Sequence, residues 1–386
     1  MATSLEKTKQ FLLSNYGRFP ICMTKGLGAE IWDEAGKRYI DFFAGFGACG
    51  ISGHSHPKIV SAVTEQVQQL QCHGNYFTNP QQLALAEKII GHSFPGKVFF
   101  CHSGAEANEA AIKLVRKATG KYKIICFENC FHGRTMGTLS LTPESFQKGF
   151  EPMLEGAVRV PFNDLEVVKR NADEQTAAIF VEPIQGEGGV NIPSLEYMQG
   201  LRKLCDERGI ILVCDEVWTS PARTGAWFAY QHFGITPDVM TLAKALGGGL
   251  PIGACVIADK YADVLGPGTH GCTMGGNPVC AAASLATFEL VEKENLLEKA
   301  NELGQHFQDK LNAKKIPTIK SIRGKGLMIG IELSETVNPA DIVKKALDKG
   351  LFLASGKGNT LRVAPPLVIA KELLDQGIEI LASCLK

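Results

Sequence analysis

Short apolar runs alternate with helical patterns along most of the chain, which favours an α/β architecture. Several of these runs are apolar throughout, as strands covered by helices on both faces must be. The pattern predicts strands at 97–101, 123–127, 177–183, 210–216, 239–243 and 254–258. Between the strands it predicts helices at 104–118, 195–208 and 276–292.

The last part of the chain has a different pattern, because helical stretches there flank only short strands. Helices are expected at 294–313, 339–349 and 369–384, and strands near 326–333 and 359–364. A chain of 386 residues also exceeds the usual size of one domain. We therefore predict a large, mainly parallel sheet domain over 51–279 and a smaller α+β domain formed by 1–50 and 280–386.

Composition argues against several classes of function. Lys plus Arg and Asp plus Glu both number 40, and no basic run occurs, so nothing favours binding to nucleic acid or an anionic membrane. The 12 cysteines form no CxxC motif, which is typical of reduced and mostly buried thiols. Without a signal peptide or a membrane-spanning run, a cytoplasmic protein is expected.

Two polar segments that follow predicted strands offer groups for an anion and a flat ligand. In 99–114, a strand leads through Ser103, Gly104 and Ala105 into a helix, whose first N–H groups suit a phosphate. An ordinary strand–loop–helix turn explains this segment equally well. In 127–137, the rings of Phe131 and His132 offer a flat face and Arg134 a fork for a carboxylate. A core aromatic and a solvated arginine are the alternative.

Two further segments offer a carboxylate and an amine. Asp215 ends an apolar strand, where a carboxylate is costly unless it is paired or functional. Paired with a pyridine nitrogen, it would keep that ring protonated as an electron sink; a helix cap is the alternative. Lys244 follows an apolar strand and precedes three glycines, so it suits a nucleophile with a lowered pKa. The alternative is a surface lysine.

Together these motifs resemble the class III, or omega, aminotransferases of fold type I, particularly the acetylornithine and ornithine enzymes. The resemblance runs from the glycine- and aromatic-rich pattern at 26–42, through GHSHP at 53–57, to LRVAPPL at 361–367. It implies pyridoxal 5′-phosphate as cofactor and a homodimer with shared active sites. It also implies transamination between an amine donor and 2-oxoglutarate.

The resemblance implies a role for each residue that matches the family's motifs. Lys244 would carry the cofactor as a Schiff base and shuttle a proton, and Asp215 would pair with the ring nitrogen. The other residues expected to bind the cofactor are Ser103, Gly104, Ala105, Phe131, His132, Val217, Trp218 and Thr273. Thr273 would reach the phosphate held by the other subunit.

For the substrate, the resemblance implies two carboxylate sites. Arg134 would hold the distal carboxylate, and Arg362 would hold the carboxylate beside the reacting carbon of 2-oxoglutarate. Glu187 would cover or uncover Arg362, so that one pocket accepts both partners. Tyr16 matches a further substrate-side position, with packing at the domain junction as the alternative.

Several positions depart from the family pattern. Trp218 stands where Gln is usual, and the loop 219–225 has lost two glycines, which would leave Ala222 strained at positive φ. Ala105 replaces a hydroxyl residue of the phosphate site, and His102 stands where Asn is common. The loop 43–52 is about one residue longer than in the acetylornithine enzymes, which bears on the substrate.

N-acetylornithine is the expected donor, with ornithine, 4-aminobutyrate and lysine or diaminopimelate derivatives as alternatives. An intramolecular amino shift and a cofactor-binding paralogue without turnover are further alternatives. Retention of Lys244, Asp215 and Arg134 argues against the paralogue. No metal is expected, because His54 and His56 lack further ligands in a zinc-like pattern.

Overall fold

The computed structural model of the chain describes residues 3–386, so the first two residues of the predicted small domain lie outside it. Within this range the chain forms eleven α-helices and fifteen strands. The helices are α1 (Ser4–Phe11), α2 (Pro57–Gln69), α3 (Pro80–His92), α4 (Gly104–Thr119), α5 (Met136–Leu141), α6 (Leu165–Asn171), α7 (Leu195–Arg208), α8 (Pro278–Lys293), α9 (Leu296–Ala313), α10 (Pro339–Asp348) and α11 (Lys371–Leu385). The strands are β1 (Met23–Leu27), β2 (Glu30–Asp33), β3 (Arg38–Asp41), β4 (Gly96–Cys101), β5 (Lys123–Phe127), β6 (Ala157–Val160), β7 (Thr176–Val181), β8 (Ile211–Asp215), β9 (Val239–Leu242), β10 (Gly253–Ala258), β11 (Ile319–Lys325), β12 (Met328–Leu333), β13 (Leu351–Phe352), β14 (Ala354–Ser355) and β15 (Thr360–Val363).

A seven-stranded sheet with the order β4-β10-β9-β8-β7-β5-β6 forms the centre of the molecule. Strand β10 runs antiparallel to both of its neighbours, and the remaining pairs are parallel. The carboxyl ends of β4, β5, β7, β8 and β9 therefore lie along one edge of the sheet. This mainly parallel sheet confirms the predicted fold class, and open sheets of this kind bind ligands at that edge.

Helices cover both faces of the central sheet, which explains why its strands are apolar throughout. On one face, α4 packs through Ala110, Leu114 and Val115 against side chains such as Phe180 and Val213. On the other face, α3, α7 and α8 contribute to a larger buried cluster. Side chains alternate between these two clusters along each strand, because successive residues of a strand point to opposite faces.

Two four-stranded sheets lie outside the central sheet, with the orders β1-β2-β3-β13 and β11-β12-β15-β14. In the first, β13 pairs in parallel with β3 and so joins the two ends of the chain. This pairing is consistent with a small domain formed by both ends. The boundaries at residues 50 and 279 remain predictions.

All six predicted strands of the central sheet form close to their expected positions, whereas its seventh strand, β6, and the small-sheet strands β1, β2, β3, β11, β13 and β14 were not predicted. Strand β6 carries Arg159 in a run of only four residues, and β11 is mostly polar at the edge of its sheet. Neither has the long apolar run by which the other strands were recognised. No helix within residues 3–386 is long and apolar enough to cross a membrane.

Candidate active site

A cavity of about 500 Å³ opens at the carboxyl edge of the central sheet. Its volume lies within the range of small-molecule sites. The predicted site residues that line it are Ser103, Gly104, Ala105, Phe131, His132, Arg134, Asp215, Val217 and Lys244. These residues follow β4, β5, β8 and β9, so the parallel arrangement of those strands brings distant segments of the sequence together.

Lys244 lies two residues beyond β9 and reaches into the cavity. Its φ is +42°, a left-handed conformation that non-glycine residues rarely adopt and that is found mainly at functional sites. Burial lowers the pKa of Lys244 below its ordinary value, although the carboxylates of Glu187 and Asp215 oppose this effect. A lowered pKa raises the fraction of neutral amine, which is the form that attacks a carbonyl carbon.

Asp215 is the last residue of β8, is almost completely buried, and is held by three hydrogen bonds. Its Oδ2 lies 2.8 Å from His132 Nδ1 and accepts a 2.8 Å hydrogen bond from Asn108 Nδ2. Its Oδ1 accepts a hydrogen bond from the Val217 backbone N–H. The carboxylate is thus fixed in one orientation at the wall of the cavity.

His132 lies beside Asp215 instead of presenting a flat face to the cavity. Burial disfavours the charged imidazole, but Cys130 and the hydrogen bond with Asp215 outweigh it and raise the pKa of His132 well above its ordinary value. The 2.8 Å contact between His132 Nδ1 and Asp215 Oδ2 joins two buried side chains. His132 therefore positions Asp215.

Three buried polar residues that support the site were not predicted. Thr241 Oγ1 donates to Asn108 Oδ1 at 2.6 Å, so both hold Asp215 from β9 and α4. Glu182 follows β7 and accepts hydrogen bonds from the Phe131 and Gly186 backbone N–H groups. Burial raises the pKa of Glu182 to about 7. Asn108 and Thr241 stand at buried positions of their elements, which is the one signal in the sequence that marks them.

The amino end of α4 forms a cradle on the opposite side of the cavity. Ser103 is the N-cap: its Oγ accepts from Glu106 N at 3.3 Å and donates to Glu106 Oε2 at 2.8 Å. A Cβ added to Gly104 would lie 2.8 Å from both methyl carbons of Val217. Glycine therefore allows α4 to approach the loop after β8, and the first N–H groups of the helix suit a phosphate.

Phe131 and Arg134 lie together at the mouth of the cavity. The Arg134 guanidinium carbon is 5.3 Å from the centre of the Phe131 ring and 4.3 Å from that of Phe146. Arg134 is exposed and makes no ion pair with a residue of the described chain. It therefore remains able to bind a carboxylate from solution.

Glu187 and Arg362 form the ion pair that the resemblance implied, with 2.7 Å between Glu187 Oε1 and Arg362 Nη1. Arg362 is 3% exposed, and its Nε donates to the Ser355 carbonyl oxygen. Its guanidinium carbon lies 4.9 Å from the centre of the Phe43 ring. Glu187 is about one-third exposed, so it is the more accessible partner of the pair.

Trp218 and the loop after it depart from the family pattern, but both remain buried. Trp218 is nearly buried, and its ring centre lies 5.7 Å from Lys244 Nζ. Ala222 has φ of +68°, which confirms the predicted positive value. Arg223 is fully buried and donates to the carbonyl oxygens of Leu327 and Pro365. The loop thereby connects the central sheet to the carboxyl-terminal part of the chain.

Five predicted residues do not line the cavity: Trp218, Glu187 and Arg362 lie together beside Lys244, and the other two lie further away. Tyr16 is exposed and lines a separate cleft that includes Phe19 and Phe352. Thr273 is exposed on a surface segment and does not line the cavity of its own chain. The substrate role of Tyr16 and the role of Thr273 in a second subunit remain predictions.

His54 and His56 have separate local roles. His54 Nε2 lies 2.8 Å from Asp41 Oδ2, and the pKa of His54 is raised to about 10 because hydrogen bonds with Asp41 and Cys49 outweigh burial. His56 accepts the Lys58 backbone N–H and caps α2. Each histidine therefore has an explanation without a metal.

The chemistry of the cavity fits pyridoxal 5′-phosphate. An amine of lowered pKa at Lys244 suits an aldehyde, and the fixed carboxylate of Asp215 suits a pyridinium nitrogen. The helix terminus at Gly104 suits a phosphate, and Phe131 and Val217 offer apolar surfaces for the two faces of a ring. These groups are those that the resemblance implied, now placed in one cavity.

Comparisons with known proteins point in the same direction. Residues 12–385 match the family model described as Aminotransferase class-III. The acetylornithine aminotransferase of Caldanaerobacter subterraneus subsp. tengcongensis is 45% identical, with 97% of this chain and 96% of the relative covered. A solved acetylornithine aminotransferase from Elizabethkingia anophelis is 35% identical, with a TM-score of 0.88 over 98% of this chain and 97% of that one. The ornithine aminotransferase of Toxoplasma gondii, solved with partial occupancy of PLP at its active site, is 32% identical, with a TM-score of 0.93 over 98% and 93%.

Proposed function

The chain belongs to the class-III aminotransferase family, and we propose that it transfers the terminal amino group of N-acetylornithine to 2-oxoglutarate. The products are N-acetylglutamate semialdehyde and glutamate. Pyridoxal 5′-phosphate is the cofactor, and when bound it accepts the electron pair released at the reacting carbon. The observation that carries the substrate proposal is a free Arg134 in the lining of the cavity, together with an Arg362 that Glu187 covers beside Trp218, whose ring also faces Lys244.

Lys244 and Asp215 have complementary tasks in this reaction. The Lys244 amine would hold the cofactor before substrate binds, and it is placed to accept a proton from the reacting carbon of the substrate. The lowered pKa of Lys244 favours the neutral amine that this step requires. Asp215, fixed by Asn108 and His132, would hold the proton on the pyridine nitrogen.

Two arginines allow one pocket to accept two different substrates. N-acetylornithine has no carboxylate beside its reacting amine, so Glu187 remains on Arg362 while Arg134 binds the distal carboxylate. 2-Oxoglutarate has a carboxylate at both ends, so it would displace Glu187 and bind both arginines. Glu187 suits this exchange because it is partly exposed, whereas Arg362 is held by Ser355 and Phe43.

The surroundings of Arg134 favour an acetylated donor over free ornithine. Arg134 lies over the adjacent rings of Phe131 and Phe146 and makes no ion pair within residues 3–386. Free ornithine would place its α-ammonium close to the Arg134 guanidinium, with only ornithine's own α-carboxylate to offset the two positive charges. Acetylation removes that positive charge and adds an apolar methyl group that can contact the rings.

A homodimer is the proposed assembly, since Thr273 is exposed and lies outside its own cavity. Tyr76, Phe77 and Met274 are large exposed apolar side chains near this segment. Asn75 donates hydrogen bonds to the carbonyl oxygens of Cys272 and Gly275, so residues 75–77 and 272–275 form one surface. A surface of this kind is typical of protein–protein contacts. A cytoplasmic location remains a prediction.

Steady-state assays of the purified holoenzyme test the proposal. We expect glutamate to form from 2-oxoglutarate with N-acetylornithine as donor, at a higher kcat/KM than with ornithine or 4-aminobutyrate. Arg134→Ala should raise the KM for N-acetylornithine by roughly 10- to 100-fold, the value of one or two charge-assisted hydrogen bonds. Arg170→Ala, which removes an exposed arginine on α6, is the matched control.

Two outcomes would contradict different parts of the proposal. A higher kcat/KM with ornithine would reject the acetylated donor but leave the aminotransferase assignment intact. Amino transfer within one substrate, without consumption of 2-oxoglutarate, would reject the two-substrate exchange at Arg362.

A further inference from the structure

Trp218, which stands where the family usually has Gln, presents its ring to two cations. The centre of the ring lies 5.7 Å from Lys244 Nζ and also 5.7 Å from the guanidinium carbon of Arg362. Both distances fall within the roughly 6 Å over which an aromatic face attracts a cation, and indole attracts cations more strongly than the ring of Tyr or Phe. A glutamine at this position would offer no such face.

Packing fixes the Trp218 ring in its place. Trp218 is 7% exposed and belongs to a buried cluster with Phe43 and Met328. A Cβ added to Gly186 would lie 2.9 Å from Trp218 Cγ, so the glycine leaves the space that the indole needs. The indole Nε1 is buried and has no hydrogen-bond partner within residues 3–386. The face of the ring, and not its N–H group, therefore makes the polar contacts of this side chain.

Arg362 is held by contacts of two kinds. Its Nη1 lies 2.7 Å from Glu187 Oε1, and Glu187 is the partner that a substrate carboxylate can reach. The other contacts are the Ser355 carbonyl oxygen and the rings of Phe43 and Trp218. These contacts do not depend on Glu187, so they can hold the buried guanidinium while its carboxylate partner is exchanged.

We propose that Trp218 is a specificity-determining residue for substrates that carry a carboxylate beside the reacting carbon. Its ring keeps the Arg362 guanidinium in position and stabilises the charge while Glu187 gives way to that carboxylate. A substrate without this carboxylate leaves Glu187 on Arg362 and gains nothing from the ring. Because Trp218 acts through Arg362, it is a positioning residue. This role rests on the proposed function, in which Arg362 binds the carboxylate, and it is independent of which amine donor the enzyme uses.

Binding of two unreactive acids to the holoenzyme tests this role. Glutarate has a carboxylate at each end and can reach both arginines, whereas pentanoate has one carboxylate and can occupy Arg134 alone. Each Kd is measured by isothermal titration calorimetry. Trp218→Leu should raise the Kd for glutarate by about 5- to 30-fold, the value of a desolvated cation–π contact, and leave the Kd for pentanoate unchanged. Trp218→Phe retains an aromatic face and should bind glutarate nearly as well as the parent.

Steady-state kinetics should show the same division between substrates. The KM for 2-oxoglutarate should rise in Trp218→Leu, while the KM for N-acetylornithine stays the same. Trp32→Leu is the matched control, because it removes a ring that also faces a cation, Lys25 Nζ at 5.0 Å, on a strand outside the cavity. Trp218→Met is a second variant without an aromatic face, and it replaces Trp218→Leu if that variant does not retain the cofactor.

Arg362→Ala separates a failure of this role from a failure of the proposed function. If Arg362→Ala weakens glutarate binding but the Leu and Met variants of Trp218 do not, Trp218 has no part in selecting the carboxylate, and the proposed function stands. An equal loss of affinity for glutarate and pentanoate would show that the ring only shapes the pocket, and it would also overturn the role. If Arg362→Ala leaves glutarate binding unchanged, the exchange at Arg362 and the role of Trp218 are both wrong.

Discussion

Glu187 and Arg362 illustrate how a single ion pair can decide which substrate enters the cavity. Arg362 is almost completely buried, and its charge is balanced by one partly exposed carboxylate. Leaving a buried charge without a partner costs several kcal/mol, so Glu187 can leave Arg362 only when another carboxylate takes its place. In the proposed reaction, the pair would therefore act as a substrate-dependent contact.

Glu187→Ala should shift the preference of the enzyme towards donors that carry an α-carboxylate. We expect the ratio of kcat/KM for glutamate to that for N-acetylornithine to rise at least tenfold, since the uncovered Arg362 favours a carboxylate at the reacting end. Glu379→Ala removes a surface carboxylate paired with Lys314 and should leave the ratio unchanged. An unchanged ratio in Glu187→Ala would mean that the ion pair is only structural.

At the level of residues, the sequence predicted the groups that carry charge or a reactive amine. Lys244 and Asp215 could be predicted because a Lys or Asp at the end of an apolar strand is unusual and costly. Asn108 and Thr241 could not, since a neutral polar residue within a helix or strand has many ordinary explanations. Their importance depends on distances across β8, β9 and α4, which no local pattern contains.

Among the elements, the contact between α4 and the loop after β8 is the one most sensitive to a small change. Gly104→Ala would place a methyl group 2.8 Å from the Val217 methyl carbons, so the helix must move away from the loop. We expect the Kd for pyridoxal phosphate to rise about tenfold or more, measured by titration of the apoenzyme. Gly91→Ala, at an α3 position with no neighbour within 4 Å, should leave the Kd unchanged. An unchanged Kd for pyridoxal phosphate in Gly104→Ala would show that the amino end of α4 does not bind the phosphate.

The buried loop between β8 and residue 230 should make stability depend on pH. Burial raises the pKa of Glu216 to about 7, while its carboxylate accepts from Thr219 and the Tyr230 N–H. Between about pH 4.5 and pH 7 the folded chain holds a proton at this site that the unfolded chain has lost. Stability from this group is therefore complete at low pH and falls by roughly 3 kcal/mol as pH rises through 7.

Glu216→Gln should flatten that dependence, because an amide does not titrate. Thermal unfolding between pH 5 and 8 should show a smaller decrease of Tm with pH in Glu216→Gln than in the parent. Glu207→Gln, which changes an exposed carboxylate on α7, should keep the parent's slope. A slope equal to the parent's in Glu216→Gln would mean that this carboxyl does not titrate in the folded protein.

Elements could be predicted where burial on both faces made a strand apolar throughout. Strands such as β5 and β8 were placed within a residue of their observed ends. The short β6 and the edge strand β11 escaped prediction, because solvent on one side permits polar residues there. The order in which the strands pair could not be predicted either. In the central sheet, β10 runs antiparallel to its neighbours, yet it has the same apolar pattern as the parallel strands.

For the whole molecule, the proposed shared active site can be tested by mixing two defective chains. In a mixed dimer of Lys244→Ala and Thr273→Ala chains, the site that retains Lys244 would receive an intact Thr273 from the other chain. We expect that site to recover the parent's KM for the cofactor after refolding of the mixture. If mixed dimers form but the parent's KM for the cofactor is not recovered, Thr273 acts within its own chain or has no role in the site.

The overall architecture was predictable from the alternation of elements, whereas the assembly of the small sheets was not. Strand β13 has only two residues, yet it joins the two ends of the chain by pairing with β3. Contacts of this kind depend on tertiary packing and leave no periodic signal in so short a segment. The second copy proposed to complete the site also lies outside what one chain's sequence pattern can specify.

The most direct test of the central claim is the absorbance of the purified holoenzyme before and after addition of N-acetylornithine alone. We predict that the holoenzyme shows a yellow absorbance band that requires Lys244. The band should bleach in a single turnover with N-acetylornithine and return when 2-oxoglutarate is added. Lys244→Ala should bind the cofactor without this band and show no turnover, while Lys203→Ala, on the surface of α7, should behave as the parent. A parent enzyme that forms no band with added pyridoxal phosphate, or a Lys244→Ala variant with full activity, would contradict the account.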